Sequence, residues 1–192
     1  MKILIFGASG PLGRAITQAA LEAGHQVTAF VRTPGLLGSR PGLREVAGDV
    51  LDAGTVAAAV PGHDLHPGTA HIIAAMKAAG VSRLIWISSH GVGDARGHSG
   101  FLFECIFVPW RLRAEFADKE RQEALVTASD LDWTIIRPAR LTNGPATRRL
   151  QAQPRLPVTI RDSISRADVA QFVLDELKDG THLLTAPTIA AT

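Results

Sequence analysis

The chain opens on Lys2-Ile3-Leu4-Ile5-Phe6-Gly7-Ala8-Ser9-Gly10-Pro11-Leu12-Gly13, an apolar run broken by glycines at Gly7, Gly10 and Gly13. Residues 2–6 have the pattern of a strand buried on both faces of a parallel sheet, with Lys2 at its solvent end. Downstream, Leu12, Ile16, Ala19, Ala20 and Ala23 recur at helical spacing; Pro11 suits the first turn and Gly24 is placed to end the helix. Residues 26–32 read as a second strand, closed by Thr33-Pro34-Gly35, which completes a βαβ unit. Such crossovers are right-handed and set the two strands side by side.

Contiguous strand, glycine turn and helix predict a doubly wound α/β fold, a parallel Rossmann sheet in one domain over residues 1–192. They also predict a phosphate grip. Glycine lets the backbone turn sharply and approach a pyrophosphate, while the helix N-terminus presents free N–H groups and a positive dipole end. The spacing is G-x-x-G-x-x-G, one residue longer than G-x-G-x-x-G; a tight turn with no ligand is the bland alternative. Second-strand chemistry then selects the cofactor. A carboxylate about 20 residues past the glycines would accept from the ribose 2′-OH of NAD, whereas an arginine accommodates the 2′-phosphate of NADP. This chain has Arg32 there and no carboxylate until Glu45, which favours NADP over NAD unless Arg32 is merely a solvated strand end.

Further along, strands are expected over 43–47, 83–88 and 133–137, extended chain over 156–160, and a last strand over 182–185. Helices are expected over 55–60, over 69–79 with Ile72, Ile73, Met76 and Ala79 inward, and over 114–128 with Glu115–Lys119 and Lys119–Glu123 at ion-pair spacing. Ser165-Arg166-Ala167-Asp168 is a capping box opening a helix with Val169, Phe172, Val173 and Leu177 inward. The long connection over 92–110 carries the apolar Phe101–Phe103 and Cys105–Val108; a lid over a ligand and core or dimer packing are both open readings.

One strand is absent from this sequence. A fourth strand should follow the helix at 55–60, yet only Pro61-Gly62-His63-Asp64-Leu65-His66-Pro67-Gly68 separates it from the next helix. In the order 3-2-1-4-5-6 the fourth strand lies against the first, so its loss would leave a gap at the sheet centre. We expect the native chain to carry residues between about Asp64 and Leu65 that are missing here. A Cα separation near the trans-peptide value of about 3.8 Å at that junction would refute this.

Composition excludes more than it selects. With 46% hydrophobic and 20% charged residues the chain is of ordinary globular type. The net charge of +2, with basic residues scattered apart from Arg148-Arg149, argues against nucleic acid. A lone cysteine, Cys105, implies no internal disulfide, and no apolar stretch is long enough for a membrane span, so a cytoplasmic location is expected. The histidines show no metal-ligand spacing.

Gly7-Ala8-Ser9-Gly10-Pro11-Leu12-Gly13, Val31-Arg32, Gly48-Asp49-Val50-Leu51-Asp52, Ile87-Ser88-Ser89, Asp132-Trp133-Thr134-Ile135-Ile136-Arg137-Pro138 and Ser165-Arg166-Ala167-Asp168-Val169-Ala170 together resemble the atypical short-chain dehydrogenase/reductases. Within these the chain is similar to the NAD(P)H-binding group that includes nitrogen-metabolite-regulator-like proteins and the biliverdin-IXβ and flavin reductases. The resemblance implies that Gly7, Ser9, Gly10, Pro11, Leu12 and Gly13 form the pyrophosphate turn. It assigns Arg32 to the 2′-phosphate and Asp49 with Val50 to the adenine, and sets Ser88 and Pro138 beside the nicotinamide. For Asp49, a turn residue bonding its own backbone is the alternative.

The catalytic acid departs from the dehydrogenase pattern. The Tyr-x-x-x-Lys pair is excluded, since the chain contains no tyrosine. Ser89 remains to hydrogen-bond a carbonyl. Lys119 lies where the resemblance would place the lysine, with an exposed, salt-bridged lysine as the other reading. Arg140 stands where the biliverdin-IXβ reductases carry a histidine; it would steer and charge-stabilise an anionic or electron-rich acceptor but is a poor proton donor. His90 is a donor by type or a loop histidine without that duty. Two functions follow as expectations: hydride transfer from NADPH to a small planar acceptor such as a flavin, quinone or tetrapyrrole, or an NADPH-sensing regulator. The regulator would act through a protein partner, with 101–110 as contact surface; a homodimer is the other use of that segment.

Overall fold

The computed structural model describes residues 1–59, 68–93, 113–159 and 161–192. They pack into two compact units, Met1–Ser82 with Ala170–Leu174, and Arg83–Val169 with Asp175–Thr192.

In the first unit β1 (Lys2–Phe6), β2 (Gln26–Val31) and β3 (Leu43–Ala47) form a parallel sheet in the order β1-β2-β3. Register places Phe6 opposite Phe30, and their rings meet tilted with centroids 5.1 Å apart, a favourable aromatic geometry. Helix α1 (Pro11–Glu22) joins the first two strands and buries Gly13, Ile16, Thr17 and Ala20, the stripe its periodicity requires. Helix α2 (Ala53–Ala59) starts two residues earlier than expected, because Asp52 Oδ1 accepts from the N–H groups of Gly54 and Thr55 and caps it. Helix α3 (Thr69–Ala78) buries Thr69, His71, Ile72, Ala75 and Met76; Ile73, expected inward, is half-exposed. The face is rotated toward His71, whose Nδ1 bonds the Val50 carbonyl at 3.1 Å.

In the second unit β4 (Arg83–Ile87), β5 (Asp132–Pro138), β7 (Leu150–Gln153) and β9 (Thr188–Ala191) form a sheet in the order β4-β5-β9-β7, with β7 antiparallel to β9. Strands β6 (Arg140–Thr142) and β8 (Ser163–Ser165) make a separate parallel ladder. Helix α4 (Arg113–Thr127) precedes β5, and α5 (Arg166–Asp179) follows β8, N-capped as expected by Ser165 Oγ on the Asp168 N–H. Ile135, Ile136, Ile164, Val169 and Ile189 are wholly buried. In α5, Leu177 is half-exposed, and Leu174 is buried with Val169, Phe172 and Val173.

Two sequence expectations are corrected. Residues 182–185 are not a strand: His182 is drawn to the buried Glu176, its N–H bonding Oε1 at 2.9 Å and its Nδ1 lying 2.9 Å from Oε2, and Leu184 takes a left-handed φ of 55°. The closing strand is β9, which begins three residues after Thr185. Residues 156–159, expected as extended chain, lie outside any hydrogen-bonded ladder; the polar-alternating Leu-Gln-Ala-Gln of β7 pairs with β9 at the end of the sheet. Glu123 does not pair with Lys119, because the side chain turns inward onto Arg137.

The junction at 64–65 and the segment 101–110 lie outside the described residues. β1 and β4, the strands that would flank a fourth strand, are each terminal in their sheets. Both are apolar yet half-buried through Ile3, Leu4, Phe6, Ile85, Trp86 and Ile87, while their neighbours β2 and β5 are buried through most of their length. Among the described residues, no helix is long and apolar enough to cross a membrane.

Candidate functional site

In the first unit the glycine turn divides its tasks. Gly7 takes φ of 72°, a conformation that favours glycine, and its carbonyl accepts from the Gly10 N–H at 3.1 Å. A Cβ on Gly13 would lie 2.2 Å from the Gly7 oxygen and 2.8 Å from the Ala8 Cα, so α1 packs directly on the turn only because that Cβ is missing. Gly10 is the N-cap and offers no side-chain cap; the N–H groups of Leu12 and Gly13 donate to no acceptor among the described residues. Arg14 Nε holds the Ser9 carbonyl at 2.8 Å and fixes the turn from outside. The donor set is a bare helix N-terminus behind a backbone with no side chain in the way, which fits a pyrophosphate.

Arg32, one residue past β2, is exposed and has no hydrogen-bond or ionic partner among the described residues. Glu45 is engaged: Oε1 accepts from the Leu37 N–H at 3.0 Å and Oε2 from the Gly35 N–H. The first carboxylate after Arg32 therefore pins the loop after β2. Asp49 Oδ1 accepts from the Leu51 N–H at 3.0 Å, the local turn bond that was its bland alternative.

In the second unit Ser88, Ser89 and His90 follow the carboxyl end of β4, and Pro138 ends β5. The Ser88 N–H donates to the Ile136 carbonyl at 2.8 Å and the His90 N–H to the Pro138 carbonyl at 3.2 Å, which brings these segments together. Ser88 is 6% exposed and its Oγ has no partner among the described residues; two residues back, Trp86 Nε1 is also buried without one among them. Unpartnered buried polar atoms at the carboxyl end of a parallel strand mark a place where a ligand completes the bonding. Ser89 is half-exposed and Arg140 is exposed just beyond Pro138. Lys119 forms no ion pair with Glu115 or Glu123 and bonds to none of the other candidates. Among the described residues no group of histidine, cysteine and carboxylate side chains could hold a metal.

Sequence reasoning missed an arginine cluster. Six arginines lie between Arg140 and Arg166 against one carboxylate, Asp162, so the charge is concentrated rather than scattered. A running charge count over this stretch would have found it. Asp162 is held below the usual carboxylate range by the Thr159 N–H and hydroxyl, against the opposing effect of burial, with a smaller contribution from His90. Burial pushes Asp168 up, but bonds from the Ser165 hydroxyl, the Arg148 and Thr147 N–H groups and the Thr147 hydroxyl outweigh it and leave its pKa lowered.

A family model described as NAD(P)H-binding matches residues 7–180. The chain is 31% identical to a 2-alkyl-3-oxoalkanoate reductase of Stenotrophomonas maltophilia, over 81% of this chain and 54% of that one. Those 183 aligned positions take in about 156 residues of this chain, so about 27 residues of the relative face gaps in it. The chain spans between 22% and 54% of the length of the first curated relatives it matches. Among solved structures, it resembles the anaerobillin reductase ChuY of Escherichia coli (TM-score 0.77, 24% identity, covering 98% of this chain and 96% of that one). It also resembles a short-chain dehydrogenase/reductase of Veillonella parvula in complex with NADP (TM-score 0.80, 20% identity, covering 98% and 93%). With the glycine turn and the family match in agreement, the chain belongs to the NAD(P)H-binding family.

Proposed function

We propose that the protein binds NADP(H) in preference to NAD(H) and transfers a hydride to a small planar acceptor. The observation that carries this is the pairing of an unpartnered Arg32 with a Glu45 already engaged by loop backbone. At the end of β2 a 2′-phosphate would meet a cation, and no free carboxylate is positioned by β2 to hold a 2′-hydroxyl. The similarity to a reductase and to an NADP complex supports the same reading.

When bound, the nicotinamide supplies the hydride. The chain's residues would do the rest: in the first unit the N–H groups of Leu12 and Gly13 would hold the pyrophosphate, and in the second Ser88 and Pro138 stand at the strand ends where the family resemblance sets the nicotinamide. Ser89 offers a hydroxyl to an acceptor carbonyl and Arg140 offers charge. With no tyrosine in the chain, the proton that balances the reduction comes from solvent, which suffices for flavins, quinones and tetrapyrroles held against the ring.

The test is NADPH absorbance followed with a panel of flavins, quinones and tetrapyrroles. Oxidation with at least one acceptor is expected. Tight NADPH binding with no oxidation across the panel would replace the reductase with an NADPH-sensing regulator.

A further inference from the structure

Within the first unit, the turn after β3 is clamped from two helices. Thr55 Oγ1, in α2, accepts from the Asp49 N–H at 3.1 Å and donates to the Asp49 carbonyl at 2.8 Å. The peptide joining Val50 to Leu51 is held at both ends. Its N–H, on Leu51, donates to Asp49 Oδ1 at 3.0 Å, and its carbonyl, on Val50, lies 3.1 Å from His71 Nδ1 in the first turn of α3. A carbonyl only accepts, so Nδ1 carries the proton. His71 is 8% exposed, on the helix face that also buries Thr69, Ile72, Ala75 and Met76. Water could satisfy the carbonyl of a turn in which Asp49 and Leu51 are exposed. A buried imidazole aimed at that carbonyl therefore sets geometry rather than solvation.

The clamp leaves one donor and one acceptor open. The N–H groups of Gly48, Asp49, Leu51 and Asp52 donate in turn to the Val31 carbonyl, Thr55 Oγ1, Asp49 Oδ1 and the Asp49 carbonyl. The Val50 N–H has no acceptor among the described residues, and Asp49 Oδ2, one residue away, has no donor among them. Adenine carries the matching pair, an exocyclic amino donor next to a ring-nitrogen acceptor. Hypoxanthine, with a carbonyl in place of the amino group, would set oxygen against the carboxylate. The Gly48 bond to the Val31 carbonyl also ties the turn to the peptide that leads into Arg32, so base and 2′-phosphate would be read from adjacent strand ends.

We propose that His71 is a positioning residue for the base of the cofactor: it fixes the Val50–Leu51 peptide so that the Val50 N–H and the free Asp49 oxygen form a donor–acceptor pair selective for adenine. This rests on the NADP(H)-binding reading. His71 acts through Val50 and makes no bond to the ligand itself. Without it the Val50–Leu51 peptide can rotate, which breaks the Leu51 bond to Asp49 Oδ1 and lets the carboxylate turn away.

The experiment is isothermal titration of NADPH and of its hypoxanthine analogue, which differs at the base alone. Wild type should bind NADPH at least about fivefold more tightly than the analogue. His71→Phe, which fills the buried space and has no donor, should weaken NADPH several-fold, leave the Kd of the analogue unchanged and so bring the ratio toward one. His71→Asn, whose amide nitrogen can stand where Nδ1 stands, should restore the ratio. A packing role alone would move the thermal midpoint and not the ratio. In wild type, the imidazole nitrogen shifts by NMR should show His71 protonated at Nδ1, and a proton confined to Nε2 would overturn the proposal without any variant. A wild-type ratio near one, or a ratio that His71→Phe leaves intact, would overturn it too while NADPH still binds and the cofactor reading stands. Failure of wild type to bind NADPH at all would remove the cofactor reading, and the role of His71 with it.

Discussion

Arg137 and Glu123 meet in a buried two-point ion pair, Nε to Oε1 at 3.0 Å and Nη2 to Oε2 at 2.6 Å. Both side chains are at most 6% exposed, so α4 is fastened to β5 by charges that water does not reach. Removing one partner leaves the other buried. Glu123→Ala should therefore cost about 3–5 kcal/mol in urea unfolding. Lys119→Ala, on the same helix without an ionic partner, should stay within about 0.5 kcal/mol.

The glycine turn separates folding from binding. Gly13→Ala drives a methyl into backbone at 2.2 Å and should lower the thermal midpoint. At Gly10 the added Cβ meets only the Gly7 oxygen, at 3.4 Å, in a φ of −71° that alanine accepts. Gly10→Ala should fold like wild type and bind NADPH several-fold more weakly in a fluorescence titration, because the methyl stands where the pyrophosphate approaches. Unchanged affinity would remove the turn from the cofactor site.

Cofactor choice rests on one side chain. Charge-assisted bonds of the kind Arg32 would make are worth about 1.5–3 kcal/mol, so Arg32→Asp should weaken NADPH roughly 10- to 100-fold and reverse the preference over NADH. Isothermal titration with both cofactors checks this, and wild type binding NADH more tightly would sink it.

Asp168 sets an acid limit. Its folded pKa lies below the unfolded value of about 3.9, so its contribution to stability is complete above that value and is lost as pH falls through the folded pKa. Denaturation midpoints of wild type should drop steeply below about pH 4. In Asp168→Asn the midpoint should be lower at pH 7 and the acid drop shallower.

The expectation that residues are missing between Asp64 and Leu65 can be tested by insertion. Placing there a segment patterned as a buried strand should raise the urea midpoint and slow hydrogen exchange at the β1 amides. Unaltered exchange in β1 would mean that no seat for a strand exists.

The N-terminal βαβ unit was legible because local signals agreed there: apolar runs, a proline at the helix start and glycines at the turn all point to one arrangement. The β5 strand and the Ser165 cap were readable for the same reason. The C-terminal end was not, because Glu176 recruits His182 from six residues away and makes a turn of an apolar-looking stretch. Glu123 was misread since helical spacing offers Lys119 as readily as the fold offers Arg137. The anchoring of Arg148 by Asp168 and of Arg166 by Asn143 was not readable, because no spacing encodes those contacts.

A sheet that ends on Ile3, Leu4, Ile5 and Phe6 has its stickiest strand where natural sheets place lysine, proline or a bulge. Among the described residues, Lys2 is the charged residue on that strand. A terminal strand so apolar should pair with other chains in concentrated solution: yield should fall with rising concentration and temperature of expression, and refolding from denaturant should succeed best when dilute.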